Sequence, residues 1–124
     1  THDAVNAIIE ARDGTLWIAT GFADRGGATR LAGGQWSGLT RQDGLAGEKV
    51  RSVFQDQDGR LWFGSEYDGL AILDGSTWRV LTPRDGLSGW EVKEIVQDQD
   101  GAYWLGTEDG VTRIAHWRYV GGGG

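Results

Sequence analysis

The chain has 124 residues, with 18 acidic against 12 basic side chains, a net charge of −6 and no cysteine. These counts exclude disulfides, thiol catalysis and thiolate metal sites, and the scattered basic residues form no stripe that could track a phosphate backbone, so nucleic acid is not an expected partner. No run approaches the roughly 18 apolar residues of a membrane helix, and Thr1 opens directly into patterned sequence, as expected of an excised or engineered fragment.

Glycine is abundant at 22, proline nearly absent at 1, and tryptophan reaches 7, a balance that points to many tight turns between strands. The first patterned segment runs from Val5 through Asp13-Gly14 to Leu16-Trp17-Ile18 and Thr20. Its Asp-Gly supplies the positive φ of a hairpin, so two antiparallel strands are expected. A longer reversal follows through Phe22-Ala-Asp-Arg-Gly-Gly27.

The second segment states the pattern most cleanly. Val50 to Asp56 is a strand, Gln57-Asp58-Gly59 a turn, and Arg60 to Ser65 a second strand with Leu61 and Phe63 on one face and Trp62 on the other. A strand with one wet face should alternate apolar and polar residues; this one does not, so its sheet must be covered on both sides. Glu66 to Gly69 is a second reversal, Leu70 to Leu73 a third strand stopped by Asp74-Gly75, and Thr77 to Thr82 a fourth. Pro83 to Glu91 is long enough to return to the next first strand.

Val92 to Thr107 then repeats the pattern of Val50 to Ser65, with the run from Gln55 to Gly59 returning unchanged as Gln97 to Gly101. The anchors recur from Val5 to Val50 to Val92 and from Trp17 to Trp62 to Trp104, a period of roughly 40 to 45 residues. No stretch runs long enough at a 3.6-residue period for a typical helix, and a sandwich does not require a repeat with its tryptophan at a fixed step. Four hairpin-joined strands, apolar on both faces and repeated in tandem, predict an all-β propeller of three four-stranded antiparallel blades. The blades are expected over 5–49, 50–91 and 92–120, followed by a flexible glycine tail over 121–124.

The motif Val-x-x-(Ile/Val)-x-x-Asp-x-x-Gly-x-(Leu/Tyr)-Trp-x-Gly-(Ser/Thr), then Asp-Gly-(Leu/Val), then Asp-Gly-Leu before the next Val, resembles the two-component regulator propeller repeat. The resemblance implies a sensor or interaction module of the kind carried by bacterial two-component regulators, and a periplasmic location. The first repeat departs from it with Ala11 in place of Asp and Ala19 in place of Gly; the third lacks the Asp-Gly-Leu connector.

Trp17, Trp62 and Trp104 share one register of the second strand and are expected in the interblade core. Trp36, Trp78 and Trp117 recur on the fourth strand, at the blade rim. Trp90 has no such repeat-wide duty and suits stacking on a sugar or peptide. The reversals between second and third strands and the connectors open at one end of a propeller, which gathers Phe22, Asp24, Arg25, Glu66, Tyr67, Asp68, Arg84, Trp90, Glu108 and Asp109 as candidate ligand-binding loops. Asp56-Gln-Asp58-Gly59 has the middle of a calcium loop, but the flanking ligand positions fall on Phe54 and Ser65, so a hairpin turn is the reading and no metal is expected. With only His2 and His116 for imidazole chemistry, no catalytic residue and no cofactor is assigned. The sequence predicts a non-catalytic binding or scaffold module, the alternative being a propeller hydrolase or lyase using carboxylates at the loop end.

Three blades make an open arc, because closed propellers have at least four. Each blade is complete in itself, so the expected partner is a second copy, giving a homodimer with six blades; a homotrimer with nine is the alternative. A glycan or peptide ligand is the expected small partner, and no membrane is.

Overall fold

The computed structural model describes residues 5–22, 25–39, 45–47 and 49–115. Within them the chain is all β apart from one short 3-10 turn at Pro83–Asp85. The first sheet is built by β1 (Val5–Glu10), β2 (Leu16–Phe22), β3 (Arg25–Ala32) and β4 (Gln35–Leu39). The second is built by β5 (Val50–Gln55), β6 (Leu61–Ser65), β7 (Leu70–Asp74) and β8 (Thr77–Leu81). The third comprises β9 (Val92–Gln97), β10 (Tyr103–Thr107) and β11 (Gly110–Ile114). Each sheet is antiparallel with its strands in chain order, so consecutive hairpins account for every pairing. The fourth strand expected in the third repeat, with Trp117, falls outside the described residues, as does the tail.

The first hairpin of each repeat is closed in one way. In the second repeat the N–H of Asp56 bonds to the Arg60 carbonyl at 2.9 Å and that of Gly59 to the Asp56 carbonyl at 3.0 Å. Gly59 takes φ 91, and Gly14 and Gly101 take φ 90 at the equivalent positions, the left-handed residue that a three-residue hairpin loop needs. The second reversal is tighter. Gly69 stands at φ 97, and a Cβ there would lie 2.3 Å from the carbonyl oxygen of Leu81.

Every residue of β6 is buried. Its alternating side chains enter two separate cores. Leu61 and Phe63 meet Trp17, Ala19, Ala28, Val50 and Val53 between the first and second sheets. Trp62 meets Leu70, Ile72, Val92, Ile95, Tyr103 and Leu105 between the second and third. Trp17 approaches Phe63 edge-on with ring centroids 5.5 Å apart, while Trp62 stacks on Tyr103 at 4.2 Å. The connectors contribute as well: Leu45 closes the first core and Leu87 the second. Strands β1, β5 and β9 meet across the interfaces and β4 and β8 lie outermost, the arrangement of propeller blades around an axis.

Two expectations are corrected here. The long reversal of the first repeat is an extended hairpin: β2 and β3 stay paired out to Phe22 and Arg25, so those two residues belong to strands and not to a loop. Trp104, expected in an interblade core with Trp17 and Trp62, is 40% exposed, because among the described residues no blade packs against that side of the third sheet. On the fourth strands, Trp36 is exposed, whereas Trp78 packs on the first core with its ring 5.7 Å from Phe63.

Candidate functional site

At the end of the arc where the second reversals meet the connectors, Glu66, Tyr67, Asp68, Trp90, Glu91 and Glu108 line an open cleft of about 530 Å³. The reversal after β6 is held locally, since Ser65 Oγ accepts the N–H groups of Tyr67 at 3.2 Å and Asp68 at 3.0 Å. It is tied to the connector by the Gly69 N–H, which donates to the Trp90 carbonyl at 2.9 Å. The Asp68 carboxylate lies over Gly47, where a Cβ would meet it.

One device recurs: the glutamate that follows the second strand binds the connector that leads into its own blade. Glu66 pairs with Lys49, and Glu108 accepts the N–H of Glu91 at 3.0 Å through Oε1 and that of Trp90 at 3.2 Å through Oε2. The backbone N–H of Glu91 is the chief reason the Glu108 carboxyl lies below its usual range. Glu91 in turn faces Arg51 at 3.7 Å and Lys93 at 4.0 Å. With their connectors fixed, Tyr67 and Trp90 stand 56% and 44% exposed at the rim, and the Lys49 ammonium sits 5.7 Å from the Tyr67 ring centroid. Chemically the cleft offers two aromatic faces for stacking, with hydrogen-bond acceptors beside them.

Of the ten residues expected at this end, the cleft brings together Glu66, Tyr67, Asp68, Trp90 and Glu108. Asp109 is exposed outside the lining with its N–H on Thr107 Oγ1, and Arg84 is exposed on the 3-10 turn. Phe22 and Arg25 lie at the end of the β2–β3 hairpin, and Asp24 falls outside the described residues. Glu91 was missed, although it neighbours Trp90 and precedes the Val92 anchor.

A second polar cluster lies inside the second interface, where sequence reasoning gave Asp56 only a turn. The Asp56 carboxylate is buried and accepts from five groups. Oδ1 takes the N–H of Asp58 and of Arg60, each at 2.9 Å. Oδ2 takes Trp62 Nε1 at 2.9 Å, the Tyr103 hydroxyl at 2.7 Å and Arg60 Nη1 at 3.4 Å. Burial pushes this carboxyl up, but the bonds from Trp62, Tyr103 and Arg60 outweigh it and hold the group below its usual range. The same burial, with the Asp56 charge, raises the Tyr103 phenol. The signal was present in sequence: Asp56 and Asp98 both precede a tryptophan by one hairpin, and Asp98 Oδ2 accepts from Trp104 Nε1 at 2.8 Å. The Asp56 carboxylate thereby joins the second blade to the third.

The described residues contain no group of three or more histidine or carboxylate side chains able to hold a metal, and no helix long and apolar enough to cross a membrane.

Comparison with known proteins accords with this architecture. Residues 1–22 and 44–67 match the model of the family described as two component regulator propeller. No curated protein sequence matches the chain. Among solved structures, the chain is similar to the extracellular domain of BT3049 of B. thetaiotaomicron, assigned to a hybrid two component system, with 17% identity and a TM-score of 0.79 over 92% of this chain and 16% of that one. The extracellular domain of BT4673 from the same organism is 24% identical with a TM-score of 0.71, over 90% and 16% of the two chains. PorZ, a surface component of the type-IX secretion system of Porphyromonas gingivalis, is 16% identical with a TM-score of 0.71, over 92% and 18%. The chain thus spans under a fifth of the length of each, and the likeness is one of fold. Its sheets are propeller blades, and the two stretches 1–22 and 44–67 are similar to the two component regulator propeller repeat.

Proposed function

We propose that this chain is a non-catalytic binding and scaffold module that closes into a six-bladed ring with a second copy of itself and takes a glycan or peptide ligand at its loop end. The observation that carries ring closure is a set of positions buried inside the chain and bare at its ends. Trp104 and Val111, 40% and 67% exposed on the third sheet, stand where Trp62 and Leu70 are sealed in the second. Val5 and Ile8, 51% and 59% exposed on the first sheet, stand where Val50 and Val53 are sealed. One end of the arc thus offers the tryptophan face and the other the face that receives it. A head-to-tail contact between copies repeats an interface the chain already makes twice, and rotational symmetry closes it.

Light scattering after size exclusion tests the ring. A species at twice the 13.5 kDa chain mass is expected; three times that mass would make it a nine-bladed trimer, and a folded monomer at micromolar concentration would refute closure. The ligand reading rests on Tyr67 and Trp90, exposed aromatics on a cleft whose walls are tied in place. Calorimetry with panels of oligosaccharides and peptides should find a binder that Trp90→Ala and Tyr67→Ala each weaken by about tenfold or more. Turnover of such a ligand, lost on changing Glu66 or Glu108 to the amide, would instead make the module an enzyme. The extracellular placement of the BT3049 and BT4673 domains supports a location outside the cytoplasm for this one.

A further inference from the structure

Both interfaces within the chain carry a bond that owes nothing to the apolar core. The hairpin turn of one blade donates a backbone N–H to the side chain of the residue that ends the first strand of the next blade. From the first blade to the second, the Arg12 N–H meets Gln55 Oε1 at 2.9 Å. From the second to the third, the Gln57 N–H meets Gln97 Oε1 at 2.7 Å. The acceptor is positioned from its own side, because Gln55 Nε2 donates to the Gly59 carbonyl at 3.3 Å and Gln97 Nε2 to the Gly101 carbonyl at 3.1 Å. The donor residue adds a side-chain arm: Arg12 reaches the carbonyls of Gln57 at 3.0 Å and Asp56 at 2.8 Å, and Gln57 Nε2 reaches that of Asp98 at 3.2 Å.

Position by position, one donor and one acceptor of this series are left over. The donor is the N–H of Gln99, in the hairpin turn of the third blade at the place of Arg12 and Gln57. The acceptor is Glu10, which ends β1 at the place of Gln55 and Gln97 and is exposed. They lie on the two ends of the arc that face each other in a closed ring.

We propose that Glu10 of one copy accepts the Gln99 N–H of the other, a lock that sets the register of the seam between chains. This rests on the ring reading above. It adds what the apolar faces do not specify, since hydrophobic contact is non-directional and a hydrogen bond to one turn N–H fixes the height at which two blades meet. The seam also departs from the internal interfaces in one respect. Glu10 replaces an amide with a carboxylate and brings it toward Asp98 and Asp100 of the facing turn, so the native seam carries a like-charge repulsion that the internal ones lack.

Four variants test the lock, each read as the dissociation constant of the ring by sedimentation or dilution. Gln99→Pro removes the N–H at the first central position of a turn that proline favours, and Gln99→Ala keeps the N–H while removing the side-chain arm. Glu10→Ala removes the acceptor, and Glu10→Gln restores the amide of the other two interfaces. With two seams per dimer, Gln99→Pro and Glu10→Ala should each weaken association by roughly thirtyfold, and the two together by no more than about either alone. Glu10→Gln should associate at least as tightly as the parent, and Gln99→Ala should fall between parent and Gln99→Pro. If the parent forms a ring that Glu10→Ala and Gln99→Pro leave unchanged, or weaken additively, the lock is wrong and the ring stands. A monomeric parent overturns both.

Discussion

Replacing Asp56 by alanine should be among the most damaging single changes available to this chain. The substitution removes the acceptor that Trp62 Nε1 and the Tyr103 hydroxyl share, and both side chains are sealed between blades where water cannot replace it. An orphaned buried donor costs about 1–3 kcal/mol, and breaking the contact with Arg60 adds to that, so a loss of roughly 3–5 kcal/mol is expected. Arg60 itself keeps Asp74 at 3.1 Å and Asp58 at 3.0 Å, which limits its share. Asparagine is no remedy: donors converge on both carboxylate oxygens, so an amide NH2 faces other donors whichever way it turns. The decisive measurement is a double-mutant cycle by urea unfolding at fixed protein concentration, followed by circular dichroism and tryptophan fluorescence. Tyr103→Phe removes one of the two donors, so on the Asp56→Ala background it should cost about 1–2 kcal/mol less than on the parent. A loss below about 1 kcal/mol for Asp56→Ala, or strict additivity in the cycle, would refute the claim that this carboxylate holds the interface together.

Trp62→Ala removes a side chain with no exposure, stacked on Tyr103, and should cost about 3–5 kcal/mol; a melting temperature within about a degree of the parent would place Trp62 outside the core. Gly69→Ala should cost clearly more than Gly75→Ala: both glycines have positive φ, but only at Gly69 does the new Cβ meet a carbonyl, that of Leu81, and equal melting temperatures would contradict this. Because the Asp56 carboxyl is held below its unfolded value, its contribution is complete above the ordinary 3.8 and is lost as pH falls below it, so the parent should lose stability more steeply than Asp56→Ala between about pH 4 and pH 2. The raised Tyr103 phenol works in the opposite sense. Its contribution is complete below the ordinary 10.0 and is lost as pH rises past it, and Tyr103→Phe should flatten the alkaline limb of the stability profile.

Much of the architecture was legible because it depends on side-chain period and turn chemistry, which are local. The apolar pair Leu61 and Phe63 on one face of β6 and Trp62 on the other required a sheet covered twice, and that burial is found. What remained unread depends on distances across the fold. Asp56 looked like a turn residue because its local bonds, to the N–H groups of Asp58 and Arg60, are those of any hairpin aspartate; Tyr103, which gives it a second duty, lies a full repeat away. Glu108 resembled a rim carboxylate, whereas its two oxygens are engaged by the connector that carries Trp90. The first repeat misled by composition, since Phe22 and Arg25 flank glycine and aspartate yet remain paired across a lengthened hairpin.

The two internal interfaces are unequal, and the inequality fixes the order of the repeats. Where the first blade meets the second, Ala11 stands in place of an aspartate and Leu61 in place of a tyrosine, so that contact is apolar throughout its centre. Where the second meets the third, a carboxylate and a phenol must arrive together. Transposing the second and third repeats would set the Tyr103 hydroxyl against Ala11, with no acceptor, and the Asp56 carboxylate out of reach of its phenol. Modules built on one pattern are therefore distinguishable by the polar atoms at their faces, and a permuted chain would carry the error as a buried hydroxyl with nothing to bind.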